Sequence, residues 1–299
     1  MFKIWKFKYA PNHFIIMLWL VLALISAVTG GFISIIGKYI LKKHDYICYA
    51  FMWNILSALF LLPIALLNFS LPVTLYEWGL LAIGVCLWLV VNITGIKSLK
   101  MVDVSLREPI SQIRLLFVLI LSAILISESV NFSKIIGTLL TFSGLLLITY
   151  KGGKFFSLLK NRGIQLTLLS AFFVSLVSIV DKTALKYWTV APYLFFEFLI
   201  PGLIFGGMTF FRKDKFKEMM KAKYFYIFLV TVLGAASSYA LYWAYQLEEV
   251  SVVYPITQLA TLIAVIGGIV ILKERKDILL KLLATVIMIA GAILISGYV

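Results

Sequence analysis

Ionisable side chains that interrupt otherwise apolar stretches are the first candidates for chemistry in this chain. Arg107, Glu108 and Arg114 fall in one such stretch, and Asp181 and Glu197 in two others. Arginine forks bind carboxylates and phosphates. A carboxyl held in low dielectric keeps its proton until a better acceptor arrives. Covalent catalysis finds less support. Cys48 and Cys86 share no CxxC spacing, and His13 and His44 stand far apart. A His/Cys metal centre is not expected, nor a cofactor or a catalytic residue. No HxxxxD cluster and no GxxxxGK[ST] loop occurs, so hydrolysis of ATP by this chain is not expected either.

The elements that must hold these residues follow from composition. Of 299 residues, 63% are hydrophobic and 13% charged. A soluble globule cannot hide that much apolar surface, and a disordered chain would not carry it. Lys and Arg outnumber Asp and Glu by 27 to 13. The basic residues lie between apolar runs, which points to anionic lipid headgroups and away from nucleic acid.

A crossing helix needs about 20 apolar residues. Runs of that length cover 13–36, 47–67, 76–96, 102–126, 132–150, 163–181, 190–211, 223–245, 250–272 and 278–296. The fold expected is therefore an all-α membrane protein of ten transmembrane helices. The runs are continuous, not alternating, which excludes an outer-membrane barrel. Lys3, Lys6 and Lys8 before the first run resemble a signal peptide, but the run is too long for one, so a retained helix is expected.

The sequence is internally duplicated. A shift of 146 places lays Val104-Ser105 on Val250-Ser251, Pro109-Ile110 on Pro255-Ile256, Gln112 on Gln258 and Glu128 on Glu274. A shift of 144 lays Ser26-Ala27 on Ser170-Ala171, Ser34-Ile35 on Ser178-Ile179 and Lys38 on Lys182. Two five-helix repeats are expected, over 1–150 and 151–299. Five is odd, so the second enters the membrane inverted, an arrangement that recurs in alternating-access carriers.

On these residues the chain resembles the drug/metabolite transporter superfamily, in particular its EamA-type ten-helix members. The resemblance rests on the Val-Ser-x-x-x-Pro-Ile-x-Gln entries at Val104–Gln112 and Val250–Gln258, on Glu128 and Glu274 closing those helices, and on Lys38 and Lys182. It implies a secondary carrier with a central cavity lined by the first, third, fourth, sixth, eighth and ninth helices, and a monomer or homodimer. The function expected is movement of a small polar organic metabolite, most simply export, across a plasma (inner) membrane. Multidrug or cation efflux and flipping of a lipid-linked substrate are the alternatives.

Within that frame the candidate cavity residues are Trp88, Asn92, Arg107, Glu108, Pro109, Gln112, Arg114, Tyr239, Tyr242, Pro255 and Gln258. Arg114 lies ~18 Å along its helix, near mid-membrane. There an ionised group costs about 2.5–3.5 kcal/mol or more. Its alternative role is an internal ion pair that fixes packing. The second repeat has Val253, Tyr254 and Ala260 where the first has Arg107, Glu108 and Arg114. A charge present in one half only suits an asymmetric substrate. Each proline removes a backbone donor, which gives a kink, a carbonyl turned to the cavity, or both. Tyr239, Tyr242, Trp243 and Gln246 make one helical stripe, read either as packing or as a cavity wall.

Lys38 with Glu274, and Lys182 with Glu128, are expected to pair across the repeats as gates. Asp181 and Glu197 are candidate carriers of a coupling proton. The basic residues of alternate connections divide twenty against six, which places both termini outside. The resemblance implies the cytoplasm instead.

Overall fold

The computed structural model describes residues 12–67, 69–149 and 160–296. The junction expected between the halves, near residue 150, and Lys3, Lys6 and Lys8 lie outside them. The described chain is all helix and loop, without a strand. We number its helices α1 (Asn12–Leu41), α2 (Tyr46–Leu67), α3 (Leu75–Met101), α4 (Val104–Ser111), α5 (Arg114–Ile126), α6 (Phe132–Thr149), α7 (Arg162–Ala184), α8 (Val190–Phe210), α9 (Lys213–Leu247), α10 (Val250–Thr257), α11 (Ala260–Val270) and α12 (Ile278–Ser296).

Among the described residues nine spans are long and apolar enough to cross a bilayer, with α4–α5 and α10–α11 each counted as one. A helix satisfies its own backbone, which is why such segments can stand in lipid. The crossing expected over 132–150 is present as the helix α6, outside those nine. Leu139, Leu203 and Val286 point outward with more than half their surface exposed, as a lipid-facing belt requires.

Helix boundaries follow local chemistry. Thr74 and Glu77 form a reciprocal capping box that starts α3. Asn161 accepts from the Gly163 and Ile164 amides to start α7. α1 runs to Leu41, five residues past the expected end at 36, because Lys38 finds carbonyl partners inside the fold. α9 starts ten residues before the expected 223. Its first turns carry Lys213, Lys215, Lys217 and Lys221, and only Met219 there is fully covered. At 1.5 Å per residue α9 is about 50 Å long, more than a bilayer core, so its charged start stands clear of the apolar layer.

The helices pack as close pairs: α2 with α8, α6 with α12, α1 with α9 and α3 with α7. α6 and α12 meet backbone to backbone. A Cβ built on Gly137 would lie 2.5 Å from the Gly291 carbonyl oxygen, so neither position admits a side chain. Such contacts bind helices where lipid supplies no hydrophobic force.

Candidate functional site

The site is built on the two interrupted helices. Proline has no N–H, so Pro109 and Pro255 leave the helical ladder one bond short. The helix does not stop at the proline. It tightens just after it: the Gln112 amide bonds the Pro109 carbonyl at 3.0 Å, and the Leu115 amide bonds the Gln112 carbonyl at 2.9 Å. In the second half the Gln258 amide bonds Pro255 at 3.0 Å and the Thr261 amide bonds Gln258 at 2.9 Å. Both interruptions therefore fall on a glutamine.

The two breaks face each other. Gln112 Nε2 donates to Gln258 Oε1 at 3.3 Å and also to Thr261 Oγ1. Arg114 Nη2 donates to the same Gln258 oxygen at 2.5 Å, with its guanidinium 5.6 Å from the centre of the Tyr254 ring. Gln258 Nε2 donates to Thr257 Oγ1 at 2.8 Å. Two buried polar atoms in this seam have no hydrogen-bond partner, Arg114 Nε and Gln112 Oε1. On the other side of Gln112, toward Thr138 and Thr141 of α6, a void of about 10 Å³ has room for one water at most. Within the seam Gln112 and Arg114 both bond the Gln258 side chain.

Arg107 and Glu108 do not join this seam. Arg107 Nη1 forms an ion pair with Glu108 Oε1, and Arg107 Nε donates to Ser98 Oγ at 2.9 Å. Ser34 donates to the same Glu108 oxygen at 3.0 Å. The charges cancel, so Arg114 is left as the cation at the breaks. Asn92 accepts from Asn54 of α2 at 3.0 Å, which ties α2 to α3. Tyr239 stacks edge-on against Trp243, with ring centres 6.0 Å apart.

The helices α4–α5 and α10–α11 run antiparallel and hold each other's ends. Ser127 (φ 55°) and Lys273 (φ 61°) take the left-handed conformation just past α5 and α11. That turn directs the next residue, Glu128 or Glu274, at the start of the partner helix. Glu274 accepts from the Val104 and Ser105 amides at 3.0 and 2.8 Å. Glu128 accepts from the Val250 and Ser251 amides at 2.9 and 3.0 Å. A carboxylate at a helix N-terminus meets both the unpaired N–H groups and the positive end of the helix dipole.

Lys38 and Lys182 meet the opposite ends of the same junctions. Lys38 Nζ donates to the Lys100 and Val102 carbonyls at 3.1 and 2.6 Å. Lys182 Nζ donates to the Glu248 carbonyl at 2.7 Å and to that of Tyr245. The expected Lys38–Glu274 and Lys182–Glu128 pairs therefore do not touch directly. Each grips one junction from both sides, lysine on the carbonyls and glutamate on the amides. Two further lysines complete the clasps: Lys281 donates to Ser105 Oγ at 2.6 Å, and Lys134 to Ser251 Oγ at 2.8 Å and Glu249 Oε2 at 2.8 Å. Both lysines lie near the starts of the runs expected at 132–150 and 278–296, and both are buried. Their spacing of 147 was the available signal.

Asp181 and Glu197 come together in a second polar site, built on α3, α7, α8 and α9. Tyr193 donates to Asp181 Oδ1 at 2.9 Å, and Tyr242 donates to Asp181 Oδ2. The Tyr242 oxygen is also 2.9 Å from Glu197 Oε2 and accepts from Trp88 Nε1 at 3.1 Å. Glu197 Oε1 is buried without a partner.

A family model for the EamA-like transporter family matches residues 17–150 and again 161–297. The chain belongs to the EamA-like transporter family. Two curated relatives are similar to this EamA-like chain, named "Putative sugar uptake protein lin0215", of Listeria innocua serovar 6a, and "Putative sugar uptake protein lmo0176", of Listeria monocytogenes serovar 1/2a. Each is 26% identical over 240 residues, covering 76% of this chain and 82% of the relative. A solved crystal structure superposes with a TM-score of 0.59 at 13% identity, over 90% of this chain and 96% of the other. That likeness is one of fold. Members of the EamA-like family are transporters, and this member is a multi-pass membrane protein.

Proposed function

We propose that this EamA-like protein is a secondary transporter of a small polyhydroxylated solute, a sugar, working by alternating access in the plasma membrane. Its ten helices would form two inverted five-helix repeats, as a monomer or homodimer. The family model's double match and the antiparallel α4–α5 and α10–α11 helices support the repeat. The observation that carries the substrate reading is the pair of unpartnered atoms in the central seam. Arg114 Nε is a donor and Gln112 Oε1 an acceptor. A hydroxyl group does both jobs at once, accepting from one and donating to the other. Buried polar atoms without partners are costly, and a ligand hydroxyl removes that cost. The names of the two Listeria relatives agree with a sugar.

Those names also favour uptake over the export expected from sequence. The two clasps would act as alternating gates, one at each junction. The direction and the substrate are tested together. Purified protein is screened by thermal shift against sugars, amino acids, nucleotides, sugar phosphates and cationic drugs. A ligand at 100 times its Kd stabilises by about 2.7 kcal/mol. A sugar should shift wild type and leave Arg114→Ala unmoved, and proteoliposomes then report whether it enters or leaves. A shift by cationic drugs alone would instead favour efflux, a second reading to which the anionic, aromatic Asp181 site lends support.

A further inference from the structure

The carboxylates Asp181 and Glu197 have no counterparts in the first repeat. The positions matching them by the 144 shift are Gly37 and Trp53, although Tyr193 does match Tyr49. Shared architecture therefore does not require the acids.

Their surroundings are closed on every side. α3 contributes Trp88 and the bare backbone of Gly84, where a Cβ would come within 2.7 Å of the Tyr193 hydroxyl and 3.5 Å of oxygens of both acids. α7 contributes Asp181 and Ser178, α8 Tyr193 and Glu197, and α9 Tyr242 and Tyr245. α2 carries no ionisable side chain between Met52 and Leu67. Lys182, which follows Asp181 in the chain, is committed to the Tyr245 and Glu248 carbonyls, and Arg114, whose carbonyl accepts from Ser175 of α7, is committed to Gln258 and the Tyr254 ring. None of the ion pairs among the described residues involves either acid.

Protons can then be counted. The Tyr242 oxygen has one hydrogen and two lone pairs. Trp88 N–H fills one lone pair, and the single phenol hydrogen lies within reach of both acids; we give it to Asp181, to which Tyr193 already donates. That leaves the 2.9 Å contact to Glu197 Oε2 with one lone pair on the phenol and no hydrogen, unless Glu197 supplies it. An ionised Glu197 would set lone pairs face to face across that contact, with its other oxygen buried and alone. Burial of an unpaired charge costs several kcal/mol.

We propose that Asp181, Tyr242 and Glu197 form a proton-binding site that holds one proton between two carboxyls. The proton sits on Glu197 and is donated to the Tyr242 oxygen, while Asp181 stays ionised between two phenols. This rests on the transport reading only for its purpose, which is coupling solute movement to a proton gradient. On release the Glu197 O–H bond breaks, the electron pair stays on the carboxylate and the proton passes to water. Two carboxylates then face one phenol, and their repulsion drives α7, α8 and α9 apart. Binding of a proton closes this site and release opens it.

The test reads the proton directly. Infrared difference spectra of the purified full chain, between neutral and alkaline pH, should show the C=O stretch of one protonated carboxylic acid, identified by its downshift in D2O. Glu197→Gln should abolish the band and Asp181→Asn should retain it. Absence of the band from wild type overturns the proposal, as does its survival in Glu197→Gln. If Glu197→Gln does not fold, Tyr242→Phe serves in its place. Loss of the phenol oxygen should move the band to the frequency of an unbonded acid, and an unmoved band overturns the assignment. None of these readouts needs a substrate. A correct band with no sugar transport would therefore sink the sugar reading and leave the proton site standing.

Discussion

The Ser105 amide donates to the Glu274 carboxylate at 2.8 Å, across 169 residues of chain. The bond joins the start of one interrupted helix to the end of the other, and Glu128 makes the matching bond to Ser251. Charge-assisted hydrogen bonds of this kind contribute about 1.5–3 kcal/mol each. Glu274→Gln and Glu128→Gln keep the size and lose the charge. Each should lower the stability of the detergent-solubilised protein by about 1–3 kcal/mol, read as a lower Tm. A silent Glu274→Gln would show that the carboxylate is not what holds the α4 terminus.

The left-handed residues before those glutamates give a prediction of opposite sign. A residue with a Cβ at positive φ carries about 1 kcal/mol of strain that glycine avoids. Ser127→Gly and Lys273→Gly should therefore raise the Tm, provided the glutamate caps stay in place. Destabilisation by both would mean that the turn is not strained.

Arg107 and Glu108 should behave as a unit. Removing one partner of a buried ion pair costs about 3–5 kcal/mol, because the other charge stays behind. Arg107→Met should be strongly destabilising. Adding Glu108→Gln should recover most of the loss. A double-mutant cycle with no coupling between the two would show that Ser98 and Ser34, not the partner charge, set their energies.

Lys281 and Ser105 offer a second cycle. Lys281→Met and Ser105→Ala each break the same 2.6 Å bond. Their effects on Tm should overlap, with a coupling of about 1–2 kcal/mol. Strict additivity would remove the clasp.

His44 stands outside the apolar spans, in the turn between α1 and α2. Burial holds its imidazole below the ordinary pKa, partly opposed by Glu218. The folded state thus prefers neutral histidine more than the unfolded chain does. Stability on this account is highest above the unfolded pKa and falls as pH drops through the ordinary histidine range. Between pH ~7.5 and ~5.5 wild type should lose more Tm than His44→Gln. Parallel profiles would mean that His44 contributes nothing to acid lability.

Several parts of the site are legible in the sequence. The offset of 146 finds both Pro-Ile-x-Gln breaks, and it is across those breaks that Gln112 and Gln258 meet. Arg114 stands out because arginine is expensive in lipid. The partner assignments are harder to read. Lys38 and Glu274 are brought to one junction, yet each bonds backbone and not the other, because helix ends offer carbonyls and amides in the right places. Lys134 and Lys281 read as charges at helix starts with no partner in view, because their serine partners are 117 and 176 residues away. Asp181 and Glu197 look unrelated, since the phenol that joins them belongs to Tyr242, 61 and 45 residues further along.

Hydrophobicity is a local property, and each helix closes its own backbone hydrogen bonds. The amino-acid order alone could therefore set the membrane class, the positions of the helices and the duplication. Which buried charge meets which partner depends on how separate helices lie against one another. Only the packed structure cancels Arg107 with Glu108, leaves Arg114 and Gln112 with unfilled valences, and places two acids on one tyrosine. In low dielectric an ångström of helix placement decides whether a polar group is paired, and no local sequence pattern carries that distance.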